Sequence, residues 1–262
     1  MSSVRQAAVA GMFYPGDPDL LRQAVRQYLG SPPPPGDAPK ALIVPHAGYV
    51  YSGPVAGTGY ARLAAGRGRI QRVVLIGPAH RVPFYGLALP GATAFDTPLG
   101  LVPVDGEAIE RLRCLPQVHV DPVPHAMEHC LEVQLPFLLE VLAEDFAIVP
   151  ALVGEASPSE VAEALETVWG NAETAVVVSS DLSHYHDYAT ARMLDLATSR
   201  AIEALDPEGV APDRACGFLP VQGLLVVARR RGLRVENVDL RNSGDTGGSR
   251  DHVVGYGTYV LA

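Results

Sequence analysis

The sequence predicts an α/β protein, a three-layer α/β/α sandwich around a central mixed, largely parallel sheet. Short β-branched runs alternate with helix-period segments along most of the chain, the punctuation of βαβ units. Those runs are continuously apolar instead of alternating, which suits strands covered by helices on both faces. A third observation is size and composition. The 262 residues are 48% hydrophobic and 19% charged, enough for one large core and too apolar for a disordered chain. The expected organisation is one domain, residues 1–262, with a helical N-terminal segment 1–30, a Pro-rich connector 31–39 and an α/β core 40–262.

The first element is a helix opened by Asp17-Pro18-Asp19, with Leu20, Leu21, Val25 and Leu29 on its apolar side. SPPPPGDAP then breaks regular structure. KALIVP (residues 40–45) predicts a strand, a small-residue stretch over 52–65 a helix, and RVVLIG (72–77) the next strand. A long amphipathic helix is expected across 130–142, followed by a strand at FAIVPALVG (146–154). SPSEVAEALETVWG starts a helix with Ser157 as cap and Glu160 at the capping-box position. AVVVSS (175–180) is a strand, 189–205 and 221–231 are helices, and VENVDL and VVGYGTYVLA complete the sheet.

Composition excludes several function classes. Lys plus Arg is 20 against 29 for Asp plus Glu, a net charge of −9, which argues against nucleic acid and anionic membrane surfaces as partners. Lys40 is the single lysine, no nucleotide-phosphate loop can be written around it, and Schiff-base chemistry has no second candidate. No apolar run approaches the ~20 residues that span a bilayer. The amino terminus lacks a sustained apolar segment with a following cleavage site, so a cytoplasmic location is expected. Cys114, Cys130 and Cys216 are read as reduced core thiols.

Ligands in open α/β sheets collect at the carboxyl ends of strands, and here those ends are rich in chemistry. KALIVP runs into His46, RVVLIGPA into His80, AVVVSS into Asp181 and His184, and VENVDLRNSG into Asp245. Two imidazoles and one carboxylate from different strand ends can hold a divalent metal and leave positions open, so His46, His80 and Asp245 are the candidate metal ligands. His184 is the candidate general acid/base, with Asp181 orienting a ring or accepting from water. The alternative for this pair is structural, Asp181 capping a helix and His184 facing solvent.

A second cluster, His125-Ala126-Met127-Glu128-His129, matches H-x-x-E-H, the pattern of a zinc hydrolase. Pro122 and Pro124 place His125 outside the helix and weaken that reading. Glu128 and His129 are expected to line the cleft at a helix start, with Tyr49, Tyr185 and Cys216 also lining it.

AGMFYPGDPDLL, PHAGYVYSG, GPAH, EHCLEVQLPFL, SSDLSHY, CGFLPVQGLL and NSGD…VVGYG occur in that order, and across essentially the whole chain they resemble the Memo family, also called protein B of the AmmeMemoRadiSam system. The resemblance implies a fold related to class III extradiol dioxygenases and a non-haem metal centre. It places two metal histidines on His46 and His80, and an aspartate and histidine beside the metal on Asp181 and His184. Some members carry a cysteine as third ligand. The matching segment here, Arg241 to Asp245, has none, and the carboxylate of Asp245 in its place favours Fe(II) or Mn(II) over copper, with Zn(II) a further candidate. A metal-dependent dioxygenase or redox enzyme acting on a small molecule is the expected function. The alternative is a peptide- or small-molecule-binding module without turnover. By resemblance, a radical S-adenosylmethionine enzyme and an AMMECR-type protein are functional neighbours, and a homo-oligomer is permitted.

Overall fold

Alternate residues of the central strands enter opposite cores, which is why those strands read as unbroken apolar runs. Val73 and Leu75 pack in one core while Val74 and Ile76 pack in the other, and Val177 and Val178 divide in the same way. The computed structural model describes residues 3–30, 36–142 and 145–262. The proline run of the expected connector, residues 31–35, lies outside them.

The first half comprises β1 (Val4–Arg5), α1 (Pro18–Leu29), β2 (Ala41–Val44), α2 (Tyr49–Leu63), β3 (Arg72–Pro78), β4 (Leu87–Leu89), β5 (Ala94–Thr97), β6 (Gly100–Pro103), α3 (Gly106–Leu112), β7 (Val118–Val120) and α4 (Pro122–Ala126). The second half comprises α5 (Leu135–Val141), β8 (Ala147–Val153), α6 (Pro158–Thr167), β9 (Thr174–Ser179), β10 (His184–His186), α7 (Tyr188–Glu203), α8 (Phe218–Arg231), β11 (Val235–Asn242), α9 (Ser243–Thr246) and β12 (Val253–Leu261).

The large sheet runs β12-β2-β9-β3-β8-β4-β7, with β10 and β11 both paired to β12. β2, β9, β3 and β8 are mutually parallel, while β12 joins β2 and β4 joins β8 antiparallel. One core lies under α6 and α8, through Val161, Leu165, Val221 and Leu224. The other lies under α1, α2 and α5, through Leu21, Val25, Tyr60 and Leu138. The result is the expected α/β/α sandwich around a mixed sheet. Both predicted caps form: Asp17 accepts from the amides of Asp19 and Leu20, and Ser157 with Glu160 makes the capping box of α6.

Three local expectations change. The long helix over 130–142 is a 3₁₀ turn at Glu132–Gln134 followed by α5. Pro136, near the start of α5, cannot donate a helical hydrogen bond, and the backbone before the turn is irregular. The stretch from 84 to 126 holds short elements that no sequence period reveals, among them β5 and β6, which with β1 form a small separate sheet. Cys114 is exposed, whereas Cys130 is buried and Cys216 is half-buried.

Candidate metal centre

His46, His80 and Asp181 follow β2, β3 and β9, neighbouring strands of the parallel core. Cys216 reaches the same point from the turn before α8. Gly217 permits that approach, because a Cβ there would stand 2.7 Å from the Ser180 Cβ and 2.8 Å from the Ser179 carbonyl oxygen. Cys216 Sγ lies 3.2 Å from His46 Nε2. The ligand atoms of His46, His80 and Cys216 all lie within 4.8 Å of one another.

Hydrogen bonds on the far side of each ring decide which nitrogen is free. Ser179 Oγ donates to the Cys130 carbonyl at 2.7 Å, so it accepts from His46 Nδ1 at 2.9 Å. Glu128 accepts from His80 twice, from the amide at 2.6 Å and from Nδ1 at 3.0 Å. Both rings therefore carry their proton on Nδ1 and present a bare Nε2, the preparation found in metal-ligating histidines. Burial and the neighbouring imidazoles of His80 and His129 hold the His46 pKa well below 6.5, so it stays neutral. Burial and Asp181 raise the Cys216 thiol. With no cation nearby it is a protonated thiol, not an activated nucleophile, and a metal would displace its proton. Two oriented imidazoles and a thiol fit a metal ion.

The carboxylates beside the group differ. Glu128 is 2% exposed, and burial alone would raise its pKa. Contacts from the His129 and His80 side chains and amides outweigh burial and hold it far below the usual carboxylate range. Asp181 is equally buried but takes a single backbone donor, the His46 amide at 2.7 Å, and burial pushes its carboxyl up. Its Oδ2 is 4.0 Å from His46 Nε2. His129 stacks on His80 with ring centroids 4.9 Å apart. Its buried Nδ1 is 3.1 Å from Glu128 Oε1 but out of line for a hydrogen bond, and among the described residues it has no other partner.

In front of these groups opens a cleft of about 700 Å³, lined by His46, His80, His129, Asp181, His184 and Tyr185 among others. His184 is on β10, whose register against β12 shifts between His184 and His186. Tyr185, between them, has φ 62°. A bulge of this kind re-aims side chains at a strand end.

Sequence reading and structure disagree at several residues. Asp245 does not join His46 and His80; Cys216 does. The Asp245 carboxylate turns back onto the start of α9, accepting from the Asn242 amide at 3.2 Å and from the Tyr188 hydroxyl at 2.7 Å. Tyr49 is core, 3% exposed, with its hydroxyl donating to the Val133 carbonyl; Tyr51 lines the cleft instead. Asp181 caps no helix, because Asp187 caps α7. His125 lies inside α4 and points away from the cluster, its Nε2 donating to the Ala88 carbonyl at 2.8 Å. Glu128 and His129 follow the end of α4 in irregular backbone, so the H-x-x-E-H residues share no helical face. Glu128 lies beneath the cleft as the partner of His80. Sequence reasoning missed Ser179, Arg81, His252 and Tyr256. Only Ser179 carried a signal, as the last residue of a strand that ends at the site.

The family model described as Memo-like protein matches residues 5–260. A MEMO1 family protein of Aquifex aeolicus (strain VF5) is 35% identical over 266 residues, covering 97% of this chain and 97% of the relative. One from Ignicoccus hospitalis is 36% identical over 278 aligned residues, covering 97% and 96%. One from Sulfolobus acidocaldarius is 34% identical over 278, covering 97% of each.

Proposed function

The chain belongs to the Memo-like protein family, and on that premise we propose that it is a metal-dependent oxidoreductase acting on a small molecule in the His184 cleft. The ligands are His46 Nε2, His80 Nε2 and Cys216 Sγ. The observation that carries this reading is the pair of bare Nε2 atoms, each with its Nδ1–H anchored, converging on a cysteine sulfur.

A thiolate in place of the expected carboxylate softens the site and shifts the metal from Mn(II) toward iron or copper. A bound redox ion would supply Lewis acidity and one-electron chemistry. The protein does the rest. Ser179 and Glu128 fix the two ligand rings. Asp181 holds the His46 amide and keeps a second oxygen beside the ligand group. His184, on the cleft wall, accepts a proton from a substrate hydroxyl. His129, from the irregular loop after α4, lines the same cleft.

Metal analysis of tag-free protein purified without oxygen tests the reading. Near one iron or copper per chain is expected in wild type and in Asp245→Ala, and loss of it in His80→Ala and Cys216→Ala. Wild type that holds no metal after reconstitution overturns the proposal. Among the described residues no helix is long and apolar enough to cross a membrane.

A further inference from the structure

Cys216 also forms part of the wall of a second cavity, chemically unlike the first. This space, about 510 Å³, is bounded by Val82, Phe84, Val153, Cys216, Phe218 and Leu219, with prolines completing the wall. It opens at the carboxyl ends of β3 and β8, where ligands gather in such sheets. Pro78 and Ala79, directly before the His80 ligand, belong to its wall. Among its lining residues the single charged group is Glu155, which is exposed.

The cavity is built, not left over. Its walls come from both cores: Phe84 packs against one, Phe218 and Leu219 against the other, and all three are half-buried and line the cavity. The loop carrying Phe84 is strapped to the end of β8 by three backbone hydrogen bonds. The Gly154 amide donates to Gly86 at 3.0 Å, the Glu155 amide to Phe84 at 2.8 Å, and the Gly86 amide to Glu155 at 2.8 Å. Gly154 has no room for a side chain, since a Cβ would stand 2.2 Å from the Phe84 carbonyl oxygen. A rigid apolar pocket is ready for a ligand without reorganisation.

We propose that the substrate is bipartite: an oxygen-bearing head lies in the His184 cleft against the metal group, and an uncharged hydrocarbon body lies in the Phe84–Phe218 cavity, the two adjoining where Cys216 of the cavity wall lies 3.2 Å from His46 of the cleft. This rests on the metal reading above and adds the substrate class. A small hydrophilic metabolite would leave the apolar cavity unfilled, and a charged tail would find no counter-charge inside it.

The test uses zinc-reconstituted protein and two chelating probes, acetohydroxamate and octanohydroxamate, with affinities measured by calorimetry. They share a head and differ by six methylenes, each worth up to about fourfold when fully buried. The octanoyl probe is expected to bind wild type at least about tenfold more tightly. That ratio should collapse toward one in Leu219→Lys and fall partway in Phe218→Ala, whose folding is checked by circular dichroism. Equal affinities in wild type, or a preference that survives Leu219→Lys, overturn the inference and leave the metal reading standing. Zinc-loaded wild type that binds neither probe removes both.

Discussion

Two buried carboxylates flank the same imidazoles, one in the irregular loop after α4 and one at the exit of β9, and they are held in opposite ways. Glu128 gathers the amides of His80, His129 and Cys130 and a ring nitrogen of His80. Asp181 receives one amide. Their burial is alike at 2% and 4% exposure, yet one is driven toward its charged form and the other toward its neutral form. Donor count, not depth, decides the charge of a buried acid. The loop therefore supplies a fixed negative charge behind His80, while the strand exit keeps an acid able to change state beside His46.

The largest expected effect breaks the loop side. Glu128→Ala takes the acceptor from the amides of His80, His129 and Cys130 and from the His80 ring nitrogen and breaks the pairing of a buried carboxylate, and should cost about 3–5 kcal/mol in urea unfolding. The next effect is a pH dependence in the same segment. Burial pushes the His125 pKa down to about 4, so below pH 6.5 the unfolded chain takes up a proton that the folded chain refuses. Stability is lost as pH falls from 6.5 toward 4, by about 2 kcal/mol between pH 6.5 and 5. His125→Asn should flatten that part of the profile. On the strand side, Ser179→Ala removes the acceptor of His46 Nδ1–H, and a fall of about tenfold or more in metal affinity is expected, read by competition with a chelator. Asp181→Asn is the smallest. It keeps an acceptor for the His46 amide and removes a charge that burial disfavours, so stability at pH 7 should rise by about 1 kcal/mol. The gain should vanish below the unfolded Asp pKa, where both states are protonated. A loss of stability at pH 7 would mean that the fold favours the charged form of Asp181, and the contrast with Glu128 would be false.

The same division separates what the sequence could and could not say. His46, His80 and Asp181 were legible because each follows a long apolar strand, and the position after such a strand is a functional address in this architecture. The sandwich was legible for the same reason, with Val73 to Ile76 apolar on both faces. Cys216 had no strand before it. Its place depends on a contact between Gly217 and the end of β9 that no local pattern encodes, and Asp245 took its role because it too followed a strand. Residues 84–126 form strands of three or four residues and helices of seven and five, broken by Pro and Gly and too short for any period to show. Tyr49 was misplaced because aromatic residues beside a cleft and aromatic residues beneath it look alike in one dimension.

The strand order carries a consequence for the timing of assembly. β2 pairs with β9 and with β12, the last strand, and Cys216 stands 170 positions after the His46 it meets. A ribosome delivering this chain from its first residue exposes His46 and His80 long before either has a sulfur, a neighbouring strand or a closed core. Contacts at such sequence separation form late. The three candidate ligands thus come together only when nearly all of the protein has been made, so a metal held by them would enter a finished fold.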